Sequence, residues 1–174
     1  MQSPLRRVSD SGETVPLSAG IETGLTDEMA RTVAGARRRA LRDGDRQIDT
    51  AHLLHSLLEA DPEARAAFPD GEQVAKVLGY LVQRSIGYGL RWQAGAEGMQ
   101  GSALLTGWSP AAVTAMEVAL ERAVKRTDPR AGGADLLAAL AADPDCRAVE
   151  VLRRAGVDTE LLVERLGDAE ARRA

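Results

Sequence analysis

The segment Ala51–Leu54 (AHLL) recurs as Ala134–Leu137 (ADLL), about 83 residues further along the chain. Around this pair the match extends over residues 25–68 and 108–152, and each longer segment has an Asp-Pro dipeptide after its Leu-Leu pair. Self-similarity at a constant offset is typical of a supersecondary unit used twice, whose copies bury their apolar faces on each other. The sequence therefore predicts two copies sharing one fold, with any binding site at the seam between them.

The composition favours an all-α protein. Hydrophobic residues make up 44% of the 174 residues and aromatic residues only 3%, and the abundant alanine and leucine are strong helix formers. The net charge of −4 argues against general polyanion binding. No apolar run approaches the roughly 18 residues of a membrane span, and the first residues lack the apolar core of a signal peptide. We therefore expect a soluble cytoplasmic protein.

Capping residues and apolar spacing predict four helices in the first copy. Thr26 is a good N-cap for a helix that ends near residue 42, and Asp49 or Thr50 caps the second. Asp61-Pro62 is typical of a cap followed by proline at the first helical position, which predicts a short third helix through residue 68. The apolar spacing of residues 72–84 predicts the fourth helix.

The second copy repeats this plan. Ser109 is the predicted cap of its first helix, Gly132 precedes the second, Asp143-Pro144 begins the third, and Asp158 or Thr159 caps the last. The expected fold is thus all-α, with eight helices in two tandem sets of four. The predicted organisation is a disordered arm (1–24), a first repeat (25–84), a Gly-rich linker (85–107), a second repeat (108–167) and a frayed tail (168–174).

This arrangement resembles the N-terminal domain of Clp ATPases, most closely the ClpC and ClpA type, or Clp repeat domain. The matching segments are residues 25–28 (LTDE), 48–54 (IDTAHLL) and 108–110 (WSP), and the resemblance covers residues 25–167. It implies a pseudo-twofold bundle of eight helices that binds protein substrates, adaptors or small cyclic peptides. In that family the domain delivers cargo to AAA+ rings, which unfold proteins for a protease.

The chain departs from the family in two ways. It has no G-x-x-x-x-G-K-[ST] phosphate loop, so it resembles the recognition domain without the motor. Many ClpC-type domains also have a glutamate in each half that helps to bind phosphoarginine, and here Ala51 and Ala134 stand at those positions. A charge-assisted hydrogen bond contributes about 1.5–3 kcal/mol, so its loss would weaken each site roughly 10- to 100-fold.

The resemblance points to Thr26, Trp108, Ser109 and Glu117 as ligand-binding residues at a groove between the repeats. The hydroxyl residues Thr26 and Ser109 match the family, and a helix N-terminus can hold an anion. Trp108 has two interpretations, as one wall of that groove or as a hydrophobic staple onto its own helix. The expected function is a non-enzymatic binding module, acting as an adaptor or ligand-sequestering protein. Its expected partners are a Clp-family ATPase, protein substrates or cyclic peptides.

An alternative hypothesis uses the arginine-rich first helix. Arg31, Arg38 and Arg42 would form a basic surface for an acidic protein or a nucleic acid, in a regulatory protein. Nucleic acid is the less favoured partner, because the chain has few aromatic side chains on which bases could stack.

The sequence predicts no catalytic site, no cofactor and no metal. His52 and His55 are three residues apart on one helix, but no further ligands complete a site at a recognisable spacing, so we expect a structural or surface role for both. Asp135, which replaces His52 in the second copy, suits capping better than ligation. Cys146 follows a predicted helix start, where a thiol pKa can fall, but no general base or second thiol accompanies it.

Overall fold

Four helices precede residue 85 and four follow residue 106 in the computed structural model, which describes residues 23–84 and 107–173. Most of the predicted N-terminal arm and Gly-rich linker lies outside the described residues. The first repeat contains α1 (Asp27–Asp43), α2 (Thr50–Ala60), α3 (Pro62–Ala66) and α4 (Gly71–Gln83). The second contains α5 (Pro110–Ala123), α6 (Gly133–Ala142), α7 (Arg147–Arg154) and α8 (Thr159–Arg173). The predicted all-α class and the two sets of four helices are confirmed.

Most predicted helix starts are confirmed by their capping hydrogen bonds. Thr26 Oγ1 accepts from the Met29 N–H at 3.2 Å, and Asp49 Oδ1 accepts from the His52 N–H at 2.9 Å. Asp61 caps α3, with proline at its first position. These contacts satisfy N–H groups that have no partner within the helix.

Two predicted boundaries differ from the structure. Asp143 does not begin a helix: its carboxylate accepts the Asp145 N–H at 3.1 Å in a turn. Instead α7 begins at Arg147, capped by the buried Cys146, whose Sγ lies 3.5 Å from the Val149 nitrogen. The last helix does not end at residue 167 but continues to Arg173, because α8 pairs there with side chains of other elements.

Two isolated parallel bridges relate the repeats by a pseudo-twofold axis. One joins Leu25 to Ala131 and the other joins Ile48 to Trp108. Leu25 and Trp108 hold the same position in the two repeats, as do Ile48 and Ala131, so the bridges are equivalent. Each repeat therefore pairs the residue before its first helix with the residue before the second helix of the other repeat.

The core is shared between the repeats, and α2 and α6 form its centre. Residues 50–58 of α2 are all buried, as are most residues of α6. Helix α1 packs on α2 and α5 on α6, while α7 contacts α2 and α3 contacts α6. A Cβ at Gly133 would collide with the Asp61 carboxylate, so the contact between the start of α6 and the first repeat requires glycine there.

Candidate functional site at the seam between the repeats

The two predicted hydroxyl residues lie at the seam, in equivalent positions. The Thr26 N–H donates to the Ala131 carbonyl at 3.0 Å, and the Ser109 N–H donates to the Ile48 carbonyl at 2.9 Å. Ser109 Oγ accepts from the Ala112 N–H at 3.1 Å, so it caps its own helix as Thr26 does. Ser109 is only 1% exposed, whereas Thr26 is partly exposed.

Trp108 lies in the hydrophobic core and is 4% exposed. This position agrees with the interpretation of Trp108 as apolar support for α5, whereas a direct ligand contact would require the seam to open. Glu117 is partly exposed on α5. At the positions of the family glutamates, Ala51 is fully buried and Ala134 partly exposed, so the two halves are not equivalent there.

A buried charge cluster joins the two repeats next to this seam. Asp49, which is 3% exposed, accepts a hydrogen bond from Arg84 at the end of α4. The same carboxylate oxygen accepts from Arg147 Nη1 of the second repeat at 2.8 Å. Burial by itself raises the pKa of the Asp49 carboxyl, but the attraction of His52 and Arg84 and the hydrogen bonds from His52 and Arg147 outweigh it and hold that pKa below its ordinary value.

Sequence patterns did not reveal this cluster. Asp49 was recognised only as a helix cap, and Arg147 is 98 residues away in the sequence. A second inter-repeat contact adjoins the cluster, since Thr50 Oγ1 accepts the Ala148 N–H at 3.0 Å. The cluster therefore has a structural role, fixing α7 against the start of α2.

The two histidines are buried, so the surface role that the sequence left open does not apply to either. His55 is 4% exposed, and its Nε2 lies 3.2 Å from Glu59 Oε1. Burial, together with the positive charge of Arg39, lowers the pKa of His55 to about 4. His52 lies between Asp49 on one side and the loop after α1 on the other. In the second repeat, the Asp135 carboxylate accepts the Gly132 N–H at 2.9 Å and binds Arg126, which confirms its capping role.

A cleft of about 310 Å³ lies between α3 of the first repeat and α8 of the second. Small and apolar side chains contribute part of its lining, and charged side chains stand beside them. Arg173 closes one side by pairing with Glu63 across the two helices. The full lining consists of Glu63, Ala66, Ala67, Arg165, Leu166, Asp168, Ala169, Arg172 and Arg173. Sequence reasoning missed this cleft because it assigned residues 168–174 to a frayed tail.

The basic residues of α1 form an exposed line that we call the arginine stripe: Arg31, Arg38 and Arg42. At 100° per residue their positions fall within about 40° around the helix axis. Leu41, which is 73% exposed, lies beside the stripe. The neighbouring Arg39 instead turns toward α2 and pairs with Glu59.

Comparisons with known proteins support the fold and not a particular activity. No protein-family model matches the sequence, and no curated protein matches it. A solved structure from preliminary structural investigations of a malarial protein secretion system matches with a TM-score of 0.62 at 16% identity, over 86% of this chain and 96% of the other. The N-terminal domain of the caseinolytic protease associated chaperone ClpD from Arabidopsis thaliana matches with a TM-score of 0.57 at 16% identity, over 84% of this chain and 94% of the other.

These neighbours have the same architecture across almost their whole length, so the chain has a Clp N-domain-like fold. None of the described helices combines the length and the apolar character needed to cross a membrane.

Proposed function

We propose that this chain is a non-enzymatic protein-interaction module that binds peptide segments in the cleft between α3 and α8. The observation that carries the proposal is that both repeats contribute to this cleft, with Ala66 and Ala67 on one side and Leu166 and Ala169 on the other. A ligand there would contact the two halves together. This cleft is a different site from the groove predicted from the sequence, because Thr26, Trp108, Ser109 and Glu117 do not line it.

The charges around the cleft favour an acidic peptide. Because Glu63 already pairs with Arg173, Arg165 and Arg172 are left as exposed cations with no ion pair among the described residues. Asp168 is the remaining acidic side chain of the lining. A peptide that places an apolar side chain between the helices and a carboxylate beside the arginines would satisfy both features.

The likeness to the ClpD N-terminal domain extends this proposal to a cellular setting. By analogy with a protease-associated chaperone, the peptide segments would belong to protein substrates or to an adaptor, and the module would act with a Clp-family ATPase in the cytoplasm. Cyclic peptides are a further ligand class that the groove could accept. Pull-down of a Clp-family ATPase that depends on the cleft arginines would support this setting.

Fluorescence anisotropy with short labelled peptides tests the cleft directly. One peptide alternates leucine with aspartate and its control alternates leucine with lysine. We expect the acidic peptide to bind more tightly, and the double variant R165E/R172E to weaken its binding at least about tenfold, the effect of one or two lost charge-assisted contacts. The matched control is R38E/R42E, which reverses the same number of charges on the arginine stripe. Equal binding by the wild type and R165E/R172E would contradict the proposal.

The arginine stripe supports a second candidate, a regulatory surface for an acidic protein. The observation that supports this candidate is the alignment of three exposed arginines beside the exposed Leu41. This hypothesis predicts the opposite outcome in the same experiment: R38E/R42E would abolish binding and R165E/R172E would leave it unchanged. Binding by way of the stripe should also decrease steeply as salt is added.

A further inference from the structure

The last residue of α1 and the loop that follows it bring two carboxylates onto the buried imidazole of His52. Asp45 Oδ2 lies 2.9 Å from His52 Nε2, and Asp43 Oδ2 lies 3.7 Å from it. One ligand atom from each of the three residues falls within 4.8 Å of the other two. We propose that Asp43, Asp45 and His52 bind a divalent transition metal ion of the zinc type.

His52 Nε2 is the observation that points to a ligand. His52 is 2% exposed, and its Nε2 is buried without a hydrogen-bond partner even though Asp45 Oδ2 is close. A buried polar atom without a partner is costly, and proteins rarely leave one in this state. A cation between the imidazole and the carboxylates would satisfy this nitrogen.

The separations suit a small cation. Zinc binds histidine nitrogen and carboxylate oxygen at about 2.0–2.2 Å, so neighbouring ligand atoms in a tetrahedral site lie roughly 3.3 Å apart. The distances of 2.9 and 3.7 Å from Nε2 lie on either side of this value. Asp45 is about one-third exposed, which provides a path for the ion and an open position for water.

Asp49 supplies the second contact that a metal-bound histidine needs. For Nε2 to bind a metal, the ring proton must be on Nδ1, and Asp49 Oδ1 lies 3.1 Å from Nδ1 as its acceptor. In the absence of metal, Nδ1 instead accepts the Asp49 N–H at 3.0 Å, so the proton resides on Nε2. Metal binding would therefore move this proton from Nε2 to Nδ1 and replace the Asp49 N–H contact by an Nδ1–H donation to Asp49 Oδ1, which gives a carboxylate–imidazole–metal arrangement.

The second repeat has an ion pair at the positions that correspond to two of the proposed metal ligands. Arg126 and Asp135 occupy the positions of Asp43 and His52, and they form an ion pair with contacts of 2.5 and 2.7 Å. The second repeat therefore has its own cation, a guanidinium, at this corner. The first repeat has a carboxylate in that place, so two carboxylates and a histidine meet at this corner.

Titration of the metal-free chain with zinc chloride, followed by calorimetry, tests the proposal. We expect one ion per chain and a melting temperature that rises with zinc concentration, because only the folded chain presents the assembled ligands. Cobalt(II) is the spectroscopic probe, since ligation at a tetrahedral site of low symmetry gives much stronger visible absorption than the weak bands of aqueous cobalt.

D45N is the informative variant because Asp45 is partly exposed and its replacement should not disturb folding. We expect D45N and D43N to weaken zinc binding at least about tenfold. The control D128N changes the residue at the Asp45 position of the second repeat and should bind as the wild type does. E59Q controls for the nearby His55–Glu59 pair. Absence of zinc binding by the wild type, or equal binding by the wild type, D43N and D45N, would overturn the proposal.

Discussion

Replacing Asp49 with asparagine would leave two buried guanidinium groups without their carboxylate. Asparagine keeps a side-chain oxygen at this position, so the cap of α2, in which Asp49 accepts the His52 N–H at 2.9 Å, can be retained. The loss is therefore confined to the other carboxylate oxygen, where an NH2 group would face Arg84 and Arg147 in place of the acceptor that both arginines use. Arg84 and Arg147 are 8% and 9% exposed, so water cannot replace the lost partner.

Removing one member of a buried ion pair typically costs about 3–5 kcal/mol. That is a large part of the roughly 5–15 kcal/mol that stabilises an ordinary domain. We therefore expect the free energy of unfolding of D49N, measured by urea denaturation and circular dichroism, to fall by about this amount. The matched control is E150Q, which removes a carboxylate from the exposed Glu150–Arg154 pair and should cost at most about 0.5 kcal/mol. A loss below about 1 kcal/mol in D49N would refute the view that this cluster holds the repeats together.

Three further predictions concern the seam and the buried histidine. Gly133→Ala should destabilise the fold by about 1–3 kcal/mol, because its Cβ would collide with the Asp61 carboxylate. Gly132→Ala, whose Cβ meets no atom within 4 Å, is the control, and equal urea midpoints would contradict the reasoning. Trp108→Ala should lower the free energy of unfolding by about 3–5 kcal/mol, since Trp108 lies in the core. If the variant instead melts as the wild type does and loses peptide binding, Trp108 is a ligand contact. Because the folded pKa of His55 is about 4 and its ordinary value 6.5, the unfolded chain binds the proton first, so stability should be lost as pH falls from 6.5 towards 4. His55→Gln should reduce the dependence of stability on pH. A variant whose stability changes with pH as that of the wild type does would contradict this explanation.

The helices could be predicted from the sequence because their signals are local. A threonine or serine before an acidic residue or a proline, followed by apolar residues at helical spacing, predicted α1 and α5 at the correct starts. The repeat itself predicted that the halves pack on each other, and the paired bridges at Leu25 and Trp108 confirm this arrangement. Where two local signals competed the prediction was wrong: Asp143-Pro144 looked like the start of α7, but Cys146 caps it.

The candidate sites were harder to predict because they depend on contacts between distant segments. Arg147 approaches Asp49 across 98 residues, and no periodic pattern predicts such a contact. The cleft depends on α8 extending to Arg173. The charged end of α8 is ordered because Glu170 pairs with Arg122 at 2.7 Å. His52 meets Asp43 and Asp45 only because the chain turns at Gly44, whose φ of 73° favours glycine.

Amide chemical shifts of the isotopically labelled chain, followed during titration with the acidic leucine–aspartate peptide, show directly where the peptide binds. We expect the perturbed amides to cluster on the two sides of the cleft, at Ala66, Ala67 and Ala169 and around Arg165 and Arg172. Shifts confined to the arginine stripe, or no shifts at all, would contradict the claim that this fold binds peptides between α3 and α8.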